Sequence, residues 1–246
     1  TATDFDGDTD TANVDLGSII RFEDDGPTIN VTKGDDAGVV LATQDAETIG
    51  GASGSAASAA NFAGVFGLTS TSGADGAATP TLSYALTLAV AAGTNSGLTI
   101  GGTAIKLYNV GGVIVGSTAL SAPASATDAS VVFSLGVNGS GVVTLTQYQQ
   151  IDHPIGTDPT ATEAPFADHS VLLANGLVNL TASSTITDND GDTASDSETI
   201  DLGGNVRFDD HGPTVSTTGV VPTLTVDETT LLTDASASFV ANFSVN

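Results

Sequence analysis

Short runs in which apolar and polar residues alternate, rich in Val, Ile, Leu and Thr, recur along the chain and read as β-strands throughout. Residues 82–90 (LSYALTLAV) alternate in part, and 105–108 and 113–115 are β-rich runs around a Gly111-Gly112 turn. Residues 131–137 (VVFSLGV) and 142–148 (VVTLTQY) flank Asn138-Gly139-Ser140-Gly141, which predicts a hairpin. Residues 177–187 and 197–202 bracket an acidic turn, and 205–208 (NVRF) follows. Residues 50–64 (GGASGSAASAANFAG) are low in complexity and compatible with a loop or one short helix. Turn residues recur roughly every 8–12 positions, so the expected fold is all-β, an immunoglobulin-like or Greek-key β-sandwich.

Charge narrows the picture. The 246 residues carry 29 Asp+Glu against 4 Lys+Arg, a net −25, which disfavours nucleic acid or anionic membrane as a direct partner. Acidic disorder is disfavoured too, because 40% of residues are hydrophobic and only 13% are charged. There is no Cys, which removes disulfides and thiolate chemistry. No apolar run reaches the roughly 18 residues of a membrane helix, so no direct membrane insertion is expected. A monomer is expected, and the start at Thr1 suggests an internal piece of a longer protein.

The acids are concentrated. Residues 4–25 hold Asp4, Asp6, Asp8, Asp10, Asp15, Glu23, Asp24 and Asp25. Residues 188–210 hold Asp188, Asp190, Asp192, Asp196, Glu198, Asp201, Asp209 and Asp210, while Asp128 is the only acid between 76 and 151. The two zones are copies. DFDGDT at 4–9 matches DNDGDT at 188–193, DLG at 15–17 matches DLG at 201–203, and RFEDDGPT at 21–28 matches RFDDHGPT at 207–214. The expected organisation is the tail of one repeat (1–28), one full repeat (29–214) and the head of the next (215–246), with seams at Gly26-Pro27 and Gly212-Pro213.

Aspartates at alternate positions around a glycine bring carboxylates to one point, and hard oxygen donors in a flexible loop suit calcium, Ca2+. Asp4, Asp6 and Asp8 form one candidate site, and Asp188, Asp190 and Asp192 another. The loop is not an EF-hand: its glycine is fourth rather than sixth, and position 12 is Asp15 in one copy and Thr199 in the other. The seam acids Glu23, Asp24, Asp25, Asp209 and Asp210 are further candidate ligands, where a bridging cation would turn repulsion into a clamp.

The set DxDGDT, DLG and RF-[ED]-D-x-GP, with TLTQYQQIDHP at 144–154 and LTVDET at 224–229, resembles the tandem repeats of giant RTX adhesins. These are bacterial surface proteins exported by type I secretion. The resemblance implies calcium-rigidified β-sandwich repeats at the cell surface, which carry a ligand-binding region outward in biofilm formation or host contact. Their partners are neighbouring repeats of the same polypeptide. The glycine-rich nonapeptides of such proteins do not occur here, which places the segment in the interior. A glycan- or peptide-binding module of the same adhesin is the alternative. Catalysis is not expected: His153, His169 and His211 sit in no recognisable motif, Ile-Asp-His-Pro reads as a structural turn, and three scattered histidines do not suggest zinc.

Overall fold

The computed structural model describes residues 1–48, 55–153, 169–210, 215–219, 221–230, 232 and 234–245. The first strands in chain order are β1 (Ala2–Thr3), β2 (Thr9–Asp10), β3 (Thr28–Lys33), β4 (Leu41–Gln44), β5 (Ala56–Asn61) and β6 (Phe66–Thr71). They are followed by β7 (Ser83–Leu88), β8 (Asn95–Ile100), β9 (Thr103–Val110), β10 (Val113–Ser117), β11 (Val131–Val137) and β12 (Val142–Gln147). The last are β13 (Val171–Leu172), β14 (Val178–Thr187), β15 (Thr193–Asp201), β16 (Val206–Asp209), β17 (Val215–Thr217) and β18 (Phe243–Val245). Helical structure among the described residues is confined to short 3-10 turns such as Asp45–Thr48 and Ala63–Val65.

Six strands form an antiparallel sheet in the order β5-β12-β11-β10-β9-β8. Its hairpins are the expected ones. Asn138 closes β11–β12 by accepting N–H bonds from Ser140 (2.9 Å) and Val142 (3.1 Å), and β9–β10 turn at Gly111-Gly112. Where it is described, the low-complexity segment is mostly strand: Ala56–Asn61 pair with β12 from Val142↔Asn61 to Gln147↔Ala56, and the short 3-10 turn Ala63–Val65 follows. Ala and Ser have little strand preference, but an edge position beside a Val-rich strand outweighs it. Residues 49–54 of that segment, His211 and the Gly212-Pro213 seam lie outside the described residues.

β7, the edge of the sheet β15-β14-β7, lies across β9, β10 and β11. A third sheet has the order β13-β16-β4, in which β16 runs antiparallel to β13 and parallel to β4. The parallel register runs from Val206↔Leu41 to Asp209↔Gln44, so both strands end at the same edge. Phe133 of β11 and Phe208 of β16 are fully buried, with ring centroids 5.1 Å apart. Burying a side chain of this size stabilises by about 1.5–3 kcal/mol. The protein is thus all-β, with several sheets that fit a β-sandwich.

The chain divides into two compact units. One gathers Thr1–Thr32, Leu68–Leu82 and Ser183–Ser197, and it contains both DxDGD turns and the Gly26-Pro27 segment. The other comprises Lys33–Gly67, Ser83–Ala182 and Glu198–Asn246, and it contains the six-stranded sheet.

Candidate metal centre

The DxDGD sequence builds the same turn twice. In the first copy the Asp4 carboxylate accepts N–H bonds from Gly7 (3.1 Å) and Asp8 (2.9 Å), and the Asp4 N–H donates to the Asp8 carbonyl at 3.0 Å. In the second, Asp188 accepts from Gly191 (3.1 Å) and Asp192 (2.8 Å), and its N–H donates to the Asp192 carbonyl at 3.0 Å. Gly7 and Gly191 have φ of 99° and 107°, a conformation that only glycine adopts without strain. The first aspartate is needed because its short side chain reaches back to amides of its own turn. DLG is a second local device of this kind: Asp15 accepts from the Gly17 N–H at 2.9 Å, and Asp201 from the Gly203 N–H at 3.0 Å.

Each turn gathers carboxylates. Asp4, Asp6 and Asp8 each place an oxygen within 4.8 Å of the others, and so do Asp188, Asp190 and Asp192. At the second turn Asp190 also belongs to a group with Asp24 and Asp75 at the same spacing. Asp24 comes from the acidic segment just before Gly26-Pro27. Asp75 was not foreseen, because a lone acid in Gly-Ala-Asp-Gly-Ala carries no local signal. The 75–77 loop is held against the turn by Asn189, whose side chain donates to the Asp75 carbonyl at 2.6 Å and whose N–H donates to the Gly76 carbonyl at 3.1 Å. The backbone at Asp25 passes over Gly73, where an added Cβ would lie 2.2 Å from the Asp25 carbonyl oxygen.

The residues fit a calcium ion on an observation independent of spacing. Asp188 is only 6% exposed, and its Oδ2 has no hydrogen-bond partner. A buried carboxylate oxygen is costly unless a proton or a cation meets it. The donors at this centre are all hard oxygens, which suits Ca2+.

Electrostatics show the same crowding. The bond shared with Asp188 pushes the Asp190 carboxyl up to about 6, with burial and the charges of Asp188 and Asp24 adding to it. The same bond lowers Asp188, and Asp192 is raised chiefly by its bond to Asp24. Because the folded Asp190 value lies above the ordinary 3.8, its contribution is full below about 4 and is lost as pH rises through about 6. Asp188 acts in the opposite sense: its contribution is full above about 3.8 and is lost as pH falls through its own lowered value, so it adds no slope between pH 5 and 7. Calcium-chelated protein should therefore melt higher at pH 5 than at pH 7, and Asp190→Asn should flatten that slope. Scanning calorimetry across this range checks it; an unchanged slope in the variant would assign the trend to general charge repulsion.

The other expected ligands are placed differently. Glu23 and Asp25 are exposed and join none of the groups found among the described residues. Asp209 is buried and faces Arg207, whose Nη2 donates to Oδ2 at 3.3 Å and whose Nε lies at the ion-pair distance of 2.9 Å from Oδ1. Asp210 lies on the opposite side of the strand end, near Asp45 and His153. Neither of the last two was foreseen as a site residue, since 45, 153 and 210 are brought together only by the sheets. Burial pushes the Asp45 carboxyl up, against the stabilising bond from Gln147. Asp152 does not orient His153: it accepts from the Thr99 hydroxyl (2.7 Å) and from the N–H groups of Gly101 (2.7 Å) and Gly102 (2.8 Å), closing the β8–β9 turn.

The model of a domain of unknown function, DUF5801, matches residues 31–203. No curated protein and no solved structure matches the chain. The family match spans more than half of the sequence, so the chain belongs to the DUF5801 family.

Proposed function

We propose that this chain is a calcium-rigidified structural repeat of a large RTX-type bacterial adhesin, which spaces a ligand-binding region from the cell surface. The observation that carries the reading is the meeting of Asp24, from the junction between repeats, with Asp75 and Asp190 beside the Asp188–Asp190–Asp192 turn. An ion held there neutralises the crowded carboxylates and ties the junction segment to the turn. Asp188 anchors the turn through its Oδ1 and offers Oδ2, while Gly191 gives the backbone its curl. Affinity of the extracellular-module class, with Kd around 10⁻⁴–10⁻³ M, suffices to keep such a repeat loose inside the cell and ordered outside. The partners are neighbouring repeats of the same polypeptide, and the location is extracellular. Tyr84, Tyr108 and Tyr148 are all partly or fully buried, which supports a spacer over a glycan-binding face.

The test is a calorimetric calcium titration of the parent and of the triple variant Asp188→Asn, Asp190→Asn, Asp192→Asn. Asn preserves shape and one oxygen but removes three charges, so at least a ~10-fold loss of affinity at this turn is expected. Asp128→Asn is the control: Asp128 only caps a local turn, accepting from the Ser130 N–H (2.9 Å) and hydroxyl (2.8 Å). Equal affinities for the triple variant and the parent would sink the reading.

A further inference from the structure

The parallel register of β4 and β16 has a chemical consequence at the shared strand end. Gln44 pairs with Asp209, so the chain places Asp45 and Asp210 side by side one residue further on. Into this pair projects His153, whose side chain is only 3% exposed. Its Nε2 lies 3.0 Å from the Phe208 carbonyl oxygen. A carbonyl can only accept, so Nε2 carries a proton, which leaves Nδ1 as the nitrogen that faces the two carboxylates. Nδ1 has no hydrogen-bond partner; it lies 3.6 Å from Asp45 Oδ2 and 3.6 Å from Asp210 Oδ1. That is too long for a hydrogen bond, and with neither a proton nor a metal ion on Nδ1 its lone pair would face two carboxylates, which is repulsive.

The surroundings hold these atoms in place. Asp45 Oδ1 accepts from the Gln147 side chain, and the Ile151 N–H donates to Asp45 at 3.3 Å. His169 Nδ1 lies 3.7 Å from the other oxygen of Asp210. One ligand atom from each of Asp45, His153 and Asp210 lies within 4.8 Å of the other two. In a tetrahedral zinc site, bonds of roughly 2.0–2.2 Å separate the ligand atoms by about 3.3–3.6 Å. The Nδ1–oxygen spacings match that.

We propose that Asp45, His153 and Asp210 bind a divalent transition-metal ion of the zinc class, through His153 Nδ1 and one oxygen of each carboxylate. A neutral imidazole and two carboxylates carry a charge of −2, which the ion balances. The Phe208 carbonyl fixes the histidine tautomer, the usual second partner of a metal-bound imidazole. The nitrogen donor separates this centre from the all-oxygen turns, and selects a borderline metal over calcium. The site is independent of the calcium reading and stands or falls without it. It also gives a role to His153 of Ile-Asp-His-Pro, which the sequence left as a structural turn.

The test uses the whole 246-residue chain, stripped with chelator and then saturated with Ca2+. Titration with Co2+ should give one equivalent with the visible absorption of a low-coordinate nitrogen–oxygen site, displaced by Zn2+. His153→Gln and Asp45→Asn should each weaken binding at least ~10-fold, whereas the triple Asn variant at 188, 190 and 192 should keep it. Nitrogen-15 NMR of the parent removes dependence on variants that fail to fold: Zn2+ should move the His153 Nδ1 resonance and leave Nε2 protonated. The proposal is overturned if excess Ca2+ abolishes Co2+ binding. It is also overturned if His153 is doubly protonated at neutral pH and unaffected by Zn2+, for then a proton bridges the two carboxylates.

Discussion

Removal of calcium should lower the melting temperature of this chain by about 10–20 °C in low salt. A ligand that binds only the folded state at about 100 times its Kd stabilises by roughly 2.7 kcal/mol per site. Two turns of the Asp4 and Asp188 type therefore contribute about 5 kcal/mol, and for a chain of this length each kcal/mol moves the midpoint by about 2–4 °C. That is a large share of the 5–15 kcal/mol that holds an ordinary domain folded. The loss adds to the self-repulsion of a net −25 chain, in which each acidic zone gathers eight acids. Scanning calorimetry in millimolar calcium and in excess chelator measures the difference. Raising salt in the chelated sample should recover only part of it, since screening weakens repulsion but coordinates no oxygen. An unchanged midpoint in chelator would remove calcium from the account.

What the sequence disclosed was whatever is encoded locally. The β11–β12 hairpin was legible because Asn138 and the glycines around it write the turn within a few residues. Both DxDGD turns were legible for the same reason: Asp4 and Asp188 bond amides only three and four positions away. Strand β5 was not, since Ala and Ser become strand only by pairing with β12, more than eighty positions later. The seam acids were foreseen as a set, yet strand geometry divides them. Asp209 belongs to β16 and meets Arg207 two positions away on the same face, while Asp210 lies beyond the strand end and meets His153. Asp75 stands alone in neutral sequence and Asp45 has only Glu47 nearby, so only tertiary pairing makes either one a ligand. Burial is likewise not a property of the motif: Phe208 is fully buried between β13 and β4, whereas its copy Phe22 is 95% exposed.

A tandem array of three or more such repeats should behave as a stiff rod in millimolar calcium and as a loose string in chelator. Asp24 lies two residues before Gly26-Pro27 and shares the Asp190 group with Asp75. Pro27 restricts the backbone at the junction, and Gly73 leaves room for the Asp25 carbonyl that a larger residue would displace. An ion at this point joins carboxylates from the junction, the 75–77 loop and the acidic turn, so the junction direction becomes fixed relative to the turn. Without the ion, the charges of Asp24, Asp188 and Asp190 drive the same groups apart. Small-angle X-ray scattering reports the contrast as a narrow, elongated distance distribution that broadens on chelation. Asp24→Asn, which spares the turn itself, should loosen the array in calcium while leaving the melting temperature of each repeat nearly unchanged. That separation between stiffness and stability is the mark of a clamp at the junction. A flexible array in saturating calcium, or an Asp24→Asn array as stiff as the parent, would show that the turns stabilise single repeats and do not set the spacing between them.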